Sequence, residues 1–144
     1  MVKIAFYKAD KAKKHKWLTK LIAWWTRGQF CHCEIIIDGY MYSSSNWNGG
    51  VRKKEWKGTD DKWEIIPVSN IDEQKILEFF EKTKGDKYDY LGVFGFIVPL
   101  KDREKQWFCS EWCSNTLKIA GCKSLWTKEP SKISPNRLYK ILKG

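Results

Sequence analysis

The dipeptide Asp38-Gly39 constrains the fold of this chain more than any other feature. An Asp-Gly pair readily adopts the positive backbone angles of a tight two-residue β-turn. It stands between the segments Cys33–Ile37 and Tyr40–Ser45, whose β-branched and aromatic residues are typical of strands. We therefore expect these two segments to form an antiparallel hairpin.

Other segments of the chain extend this hairpin into a sheet and supply helices to cover it. Further strands are predicted at Val2–Tyr7, Val51–Trp56 and Trp63–Val68. Apolar spacing and capping residues predict four helices, over Asp10–Thr26, Asn70–Gly85, Cys109–Ala120 and Asn136–Leu142. In the second of these, Asn70 and Glu73 form a predicted capping box. A loop with a short buried helix is predicted over Tyr88–Leu100. The predicted fold class is therefore α+β, a small antiparallel sheet packed by helices.

The chain of 144 residues is long enough for a real core, and we predict a single domain over 1–144. Its 27 Lys and Arg against 17 Asp and Glu give a net charge of +10. This charge favours contact with an anionic surface, whether lipid, cell wall or nucleic acid, or it makes only a basic solvated surface. The predicted helix Asp10–Thr26 combines an apolar stripe with a lysine-rich face. No obligate partner is predicted.

Cysteine count and hydropathy predict a cytoplasmic protein. Five cysteines are an odd number, so they cannot all pair within the chain. The apolar run at the N-terminus, Met1–Phe6, is too short for a signal peptide. The longest apolar stretch, Tyr90–Leu100, falls well below the roughly 18–20 residues of a membrane span. We therefore expect reduced thiols.

Cys109 is the strongest candidate for chemistry, because it opens a predicted helix directly after the aromatic pair Trp107-Phe108. Unpaired N–H groups and the positive end of the helix dipole stabilise a thiolate at such a position. The backbone N–H of Cys109 or Ser110 can also donate to an oxyanion. The alternative is a small apolar side chain in the core, because Cys109 lies on the apolar stripe of the helix.

His32 is the candidate base, because it opens the first strand of the hairpin and is one of only two histidines in the chain. A two-residue turn makes His32 face Ser45 and makes Glu34 face Ser43. Glu34 or Ser45 would then orient the imidazole. Alternatively, Glu34 pairs with a lysine at the edge of the sheet.

A structural metal site is a weaker interpretation of the same residues. Cys31, His32 and Cys33 are adjacent, and Cys109 and Cys113 follow later with three residues between them. Zinc ligands usually have a different spacing, such as two cysteines separated by two residues. Strand alternation also directs Cys31 and Cys33 to the face opposite His32. Neither a metal nor an organic cofactor is therefore predicted.

Several motifs occur in an order that is typical of one family. They are His32-Cys33-Glu34-Ile35, Asp38-Gly39, Tyr42-Ser43-Ser44-Ser45, Gly49-Gly50-Val51, Tyr88-Asp89-Tyr90-Leu91-Gly92 and Phe108-Cys109-Ser110-Glu111-Trp112. From about Gln29 to Gly121 the chain resembles the circularly permuted NlpC/P60 (papain-like) superfamily. In that arrangement the histidine strand precedes the cysteine helix, which is the reverse of the order in ordinary papain-like enzymes.

The resemblance implies a thiol nucleophile that matches Cys109 and a histidine base that matches His32. It also implies a polar third residue on the strand after the histidine, where this chain has only serines and Asn46. Glu34 stands where many members have a small residue, and we expect it to supply the missing group. Tyr88 matches a tyrosine that relatives keep near the nucleophile.

The function expected from these residues is a cysteine-dependent hydrolase that cleaves an amide bond of a peptide or of cell-wall peptide through a thioester. One alternative is a lipid acyltransferase or thioesterase of the same fold at a membrane surface. Another is a non-enzymatic basic binding domain in which Cys109 is only a core residue.

Overall fold

Five antiparallel strands form the main sheet in the computed structural model of the chain, which describes residues 1–11, 29–45, 49–58, 61–88 and 106–144. The strands are β1 (Val2–Lys8), β2 (Phe30–Ile37), β3 (Tyr40–Ser45), β4 (Gly50–Glu55) and β5 (Trp63–Val68). They lie in the order β4-β3-β2-β1-β5, so β2 is the central strand and pairs with both β1 and β3. A second, two-stranded parallel sheet pairs β6 (Lys87–Tyr88) with β7 (Gln106–Trp107).

Three helices accompany the sheet in the described residues: α1 (Glu73–Thr83), α2 (Cys109–Ile119) and α3 (Pro135–Lys143). The predicted α+β class and antiparallel sheet are therefore confirmed. The 3-10 turns are Ala9–Lys11, Lys123–Leu125 and Pro130–Lys132. The helix predicted over 10–26 lies outside the described residues beyond that first turn, and so does most of the predicted segment over 88–100. None of the described helices is long and apolar enough to cross a membrane.

The start of α1 shows which residue caps that helix. The carboxylate of Asp72, not Asn70, caps α1 by accepting hydrogen bonds from the backbone N–H groups of Gln74 and Lys75. The predicted capping box of Asn70 and Glu73 is therefore wrong. Asp72 occupies the cap because it lies two and three residues before those N–H groups, which is the spacing that a capping carboxylate needs. Asn70 instead has a positive φ of 57° in the preceding turn.

The other two helices, α2 and α3, start at or within one residue of the predicted positions. Ser134 caps α3 by accepting from the N–H of Arg137, with Pro135 in the first turn. At the start of α2, Phe108 is extended and makes no side-chain cap. The N-terminal N–H groups of α2 therefore lack a capping side chain, and Cys109 is the first residue beside them.

The hairpin of β2 and β3 has the predicted turn. Asp38 and Gly39 have positive φ angles of 48° and 79°, which match the two-residue type I′ connection. The ladder pairs Ile37 with Tyr40, and the next two residues of each strand continue it in register.

That ladder then stops, which corrects the predicted facing pairs. Neither Glu34 with Ser43 nor His32 with Ser45 belongs to it, because the last pair is Ile35 with Tyr42. The physical reason is a side chain from α2. The sulfur of Cys113 lies 3.7 Å from the carbonyl oxygen of Cys33 on β2 and 3.6 Å from the hydroxyl of Ser43 on β3. It contacts the two strands where they diverge.

The core lies between one face of the sheet and the helices. Its members come from all five strands and from each helix, and include Ile4, Phe6, Ile35, Ile37, Tyr42, Ile66, Ile76, Trp112, Leu117 and Leu138. Trp112 is fully buried, and its indole N–H donates to the hydroxyl of Thr83, which in turn donates to the carbonyl of Phe79. Because these contacts pack α2 against both α1 and β2, they place the first turn of α2 beside the start of β2.

Candidate active site

Cys109 is the first residue of α2, as the sequence predicts, and only 2% of it is exposed. The Cys109 and His32 side chains lie beside each other, and the charge of each shifts the pKa of the other, although one lies on a helix and the other on a strand far away in the sequence. The predicted juxtaposition of thiol and imidazole is therefore present in the structure. A thiol beside an imidazole at a helix N-terminus is the arrangement that activates cysteine as a nucleophile.

His32 is held in place by the backbone of β2 and by one residue of α3. The strand begins at Phe30, two residues before His32. The side-chain amide of Asn136 accepts from the N–H of Phe30 at 2.9 Å and donates to its carbonyl at 3.0 Å. Asn136 is buried, so this pair of bonds fixes the strand beside His32. The sequence analysis missed this role, since nothing in the local pattern links residues so far apart.

Glu34 orients the imidazole ring of His32. Its carboxylate oxygen Oε1 lies 2.6 Å from His32 Nε2, so Nδ1 is the ring nitrogen that Glu34 leaves available. Both residues are buried, with 4% of His32 and 1% of Glu34 exposed. Of the two predicted orienting residues, Glu34 therefore makes the contact with the ring. Ser45 is buried at the end of β3, where it pairs with Gly50 of β4.

Arg52 on β4 is the partner of Glu34, in place of the lysine proposed as the alternative. Its guanidinium donates from Nη1 to Glu34 Oε2 at 2.8 Å and from Nη2 to Oε1, so the pair is bidentate. Only 14% of the Arg52 side chain is exposed. The strand order explains the reach: Arg52 pairs with Ser43, which stands between it and β2 and whose small side chain leaves room for the guanidinium.

The position of β4 depends on the Gly49-Gly50-Val51 motif. Gly50 has a φ of 119°, and a Cβ there would lie 2.0 Å from the carbonyl oxygen of Asp86. Val51 donates its N–H to that same oxygen at 2.8 Å. Only glycine permits so close an approach, and the contact fixes the start of β4 two residues before Arg52.

Four side chains therefore form a row of alternating charge, which we call the site row: Cys109, His32, Glu34 and Arg52. Burial alone raises the pKa of Glu34, but the charges and hydrogen bonds of Arg52 and His32 outweigh it and lower that pKa to about 2. Burial lowers the pKa of His32, but the negative charges of Cys109 and Glu34 outweigh it and raise that pKa to about 10.

Cys33 lies beside the Cys109 sulfur, a contact that the sequence did not predict. Both the thiol and the backbone of Cys33 interact with that sulfur. The interaction with the Cys33 thiol and the charge of His32 outweigh burial and lower the pKa of Cys109 well below its ordinary value. Alternation along β2 predicts that Cys33 lies on the core face with Ile35 and Ile37, and all three are members of the core. Because α2 packs against that face, Cys33 lies beside Cys109 as His32 does.

The remaining predicted site residues are less closely connected. Ser110 is fully buried, and its hydroxyl has no hydrogen-bond partner among the described residues. Its N–H lies in the first turn of α2, next to that of Cys109. The backbone of Tyr88 lies in β6, paired with Trp107, but its side chain lies outside the described part of the chain. Within the described ranges no group of three or more His, Cys, Asp or Glu side chains has a geometry that could hold a metal ion.

Comparisons with family models, with curated proteins and with solved structures found no match to this chain. The relationship to the permuted NlpC/P60 superfamily therefore stays a prediction from the motifs. The site itself depends on the contacts of the site row and not on a relative. Its chemistry can be derived from those contacts alone.

Proposed function

We propose that this chain is a cysteine-dependent hydrolase that cleaves an amide bond through a thioester, with a permuted papain-like arrangement. The pairing of the Cys109 thiol with the His32 imidazole carries the proposal. The order of the elements along the chain supports the permutation, because the strand with the base, β2, precedes the helix with the nucleophile, α2. Cys109 is the nucleophile and His32 the proton carrier. Glu34 and Arg52 are positioning residues.

In the resting site the proton has already moved from sulfur to imidazole. The lowered pKa of Cys109 and the raised pKa of His32 both favour the thiolate–imidazolium pair at neutral pH. The thiolate attacks the carbonyl carbon of the amide and forms a tetrahedral intermediate. The imidazolium then gives its proton to the leaving nitrogen, and the acyl group stays on sulfur as a thioester.

The oxyanion of each tetrahedral intermediate is bound at the start of α2. The backbone N–H groups of Cys109 and Ser110 lie in the first turn, and no side chain of Phe108 caps them. Donors placed where negative charge develops stabilise the transition state more than the ground state. After the amine leaves, neutral His32 removes a proton from water, which hydrolyses the thioester and regenerates Cys109.

Glu34 and Arg52 keep the imidazole productive without touching the substrate. The carboxylate holds Nε2–H, so that Nδ1 stays directed at sulfur, and it stabilises the positive charge on the ring. Arg52 in turn neutralises a carboxylate that would otherwise be buried alone.

Selective alkylation tests the thiolate. Iodoacetamide at neutral pH is expected to modify Cys109 faster than the other four cysteines, and His32→Ala should slow that modification by tenfold or more, on the order of the usual gain from a paired acid–base group. An exposed residue of β4 offers the control, because Lys54→Ala should leave the rate unchanged. Since only 2% of Cys109 is exposed, a bulky maleimide should react more slowly than iodoacetamide. Equal modification of all five cysteines would exclude the proposed nucleophile.

A hydrolysis assay identifies the acyl source. Peptide and cell-wall peptide amides should be cleaved with loss of activity in Cys109→Ser. The proposed alternative, a lipid acyl transfer, predicts turnover only when anionic vesicles are present, and the net charge of +10 is the feature that favours it. Turnover of a soluble peptide without vesicles decides for the amide hydrolase.

A further inference from the structure

Cys33 is a buried thiol in contact with the nucleophile, and the proposed hydrolysis does not use it. Its side chain lies beside that of Cys109, and it is fully buried in the core. An independent contact places Cys33 under the first turns of α2, because the sulfur of Cys113, four residues after Cys109, lies 3.7 Å from the Cys33 carbonyl oxygen. All five cysteines are free thiols in this structure.

We propose that Cys33 is a resolving cysteine, which forms a reversible disulfide with Cys109 when hydrogen peroxide oxidises the nucleophile. The inference shares one premise with the proposed function, namely that Cys109 is a thiolate. It does not require that the chain hydrolyse any substrate. The pair would thus be a modification site that switches the proposed activity off under oxidising conditions and restores it on reduction.

The chemistry proceeds in two balanced steps. The Cys109 thiolate attacks one oxygen of hydrogen peroxide, the O–O bond breaks, and the products are a sulfenic acid on Cys109 and hydroxide, which takes up a proton to become water. The Cys33 sulfur then attacks the Cys109 sulfur and displaces the second oxygen, which leaves as water with the Cys33 proton. Two thiols are oxidised to one disulfide, and one peroxide is reduced to two waters.

The charge on Cys109 affects when the second step can occur. Burial and the contact with Cys109 raise the pKa of Cys33, so that it keeps its proton while Cys109 is a thiolate. A sulfenic acid no longer carries that negative charge, and the proton on Cys33 is then held less tightly. Oxidation of Cys109 therefore removes one of the causes that keep Cys33 protonated, while burial still raises its pKa.

The other thiols are placed less well for this reaction. Cys31 donates to the carbonyl of Tyr7 at 3.7 Å, and Cys122 contacts the hydroxyl of Ser124 beyond the far end of α2. Cys113 contacts Ser43 and both the backbone and the thiol of Cys33, so it is the competing partner for Cys33. Among the described residues, the thiol that lies beside Cys109 is that of Cys33.

Peptide mapping after oxidation tests the pairing on the intact chain. The protein is treated with hydrogen peroxide and then unfolded in the presence of iodoacetamide, which alkylates the remaining thiols. It is digested with trypsin, and the peptides are fragmented in a mass spectrometer. Trypsin places Cys31 and Cys33 in one peptide and Cys109 and Cys113 in another. We expect a cross-linked pair of these peptides joined through Cys33 and Cys109, lost on reduction with dithiothreitol.

Substitution of the two cysteines of the first peptide provides the matched comparison. Cys33→Ser should lose the cross-link and accumulate sulfinic and sulfonic acid on Cys109, so that dithiothreitol no longer restores its alkylation. Cys31→Ser, two residues away on the same strand, should keep both the cross-link and the recovery. If Cys33→Ser does not fold, Cys33→Ala and the map of the wild-type chain give the same decision.

Three results separate this inference from the proposed function. A Cys33–Cys109 cross-link in a chain that cleaves no amide supports the inference while the hydrolase fails. Selective alkylation of Cys109 without any cross-link, or with a cross-link to Cys113 instead, overturns the inference and leaves the hydrolase standing. Equal oxidation of all five cysteines overturns the premise that both share.

Discussion

The two ends of the β2–β3 hairpin differ in what holds them. The turn end, from Ile35 to Tyr42, is a regular ladder around Asp38-Gly39, and its strand residues are mostly apolar. The open end consists of His32–Glu34 on β2 and Ser43–Ser45 on β3, where the ladder has stopped and the side chains are polar and buried. The same two strands are thus a local motif at one end and a candidate active site at the other.

The two ends also differ in which contacts stabilise their buried polar groups. At the turn end hydrogen bonds between neighbouring strands satisfy the backbone, so the element depends on nearby residues. At the open end the partners come from far away: Arg52 on β4, Cys109 on α2 and Asn136 on α3. Buried charge is stable only when such partners are in place, so this end should be rigid and sensitive to substitution.

Removal of Arg52 should give the largest change in stability. Arg52→Ala leaves Glu34, which is 1% exposed, without its bidentate partner and should lower the free energy of unfolding by about 3–5 kcal/mol. Urea denaturation at neutral pH measures this loss. The same substitution should also slow the alkylation of Cys109, because the ring of His32 loses its fixed orientation.

Lys54→Ala is the control for that experiment, since Lys54 lies on the same strand two residues later and is exposed. It should change the stability by less than about 0.5 kcal/mol. An Arg52→Ala protein as stable as Lys54→Ala would show that the open end does not depend on the buried ion pair.

The pH dependence of alkylation should distinguish Cys109 from an ordinary thiol by a factor of tens or more. An ordinary cysteine with a pKa of about 8.5 is almost entirely protonated at pH 6. Because contact with Cys33 and the charge of His32 lower the pKa of Cys109, it should keep most of its reactivity at that pH. Reactivity should change again near pH 10, where His32 loses its proton. A Cys109 rate that rises about tenfold per pH unit between pH 6 and 8, as it does for an ordinary thiol, would contradict the ion pair.

Sequence patterns were sufficient for the turn end because its determinants are adjacent in the chain. Asp38-Gly39 specifies the turn, and the register follows from it for three residue pairs. The strands around Val2–Lys8 and Trp63–Val68 and the helix start at Cys109 likewise carry local signals. The short parallel pair of β6 and β7 was missed, since two-residue strands have no periodicity to detect.

At the open end the sequence indicated which residues matter but not how they connect. Cys109, His32 and Glu34 were predicted, and each lies in the site row. Arg52 and Cys33 were not, because their roles depend on the order of the strands and on the point where the hairpin diverges. A buried carboxylate on β2 requires a cation, which is a signal that a partner exists, but only the fold shows that β4 supplies it.

Gly39→Ala should perturb the turn end alone. Gly39 has a φ of 79° with open space around it, so the methyl group causes backbone strain without a clash. The expected loss is about 1–2 kcal/mol of unfolding free energy. Alkylation of Cys109 in the folded protein should keep its wild-type rate, because the open end is held by contacts with other elements. A slower rate in Gly39→Ala would mean that the two ends are coupled through the ladder.

The smallest effect concerns two hydroxyls on α2, the helix that separates the strands of the open end. Ser114 and Thr116 are both fully buried, but Thr116 donates to the carbonyl of Trp112 at 2.6 Å, whereas the Ser114 hydroxyl has no partner among the described residues. Ser114→Ala removes an unsatisfied group and should raise the free energy of unfolding by about 0.5–1 kcal/mol. Thr116→Val removes a satisfied one and should lower it by a similar amount. Equal losses for both, measured by thermal and urea unfolding, would mean that Ser114 has a partner in the folded protein.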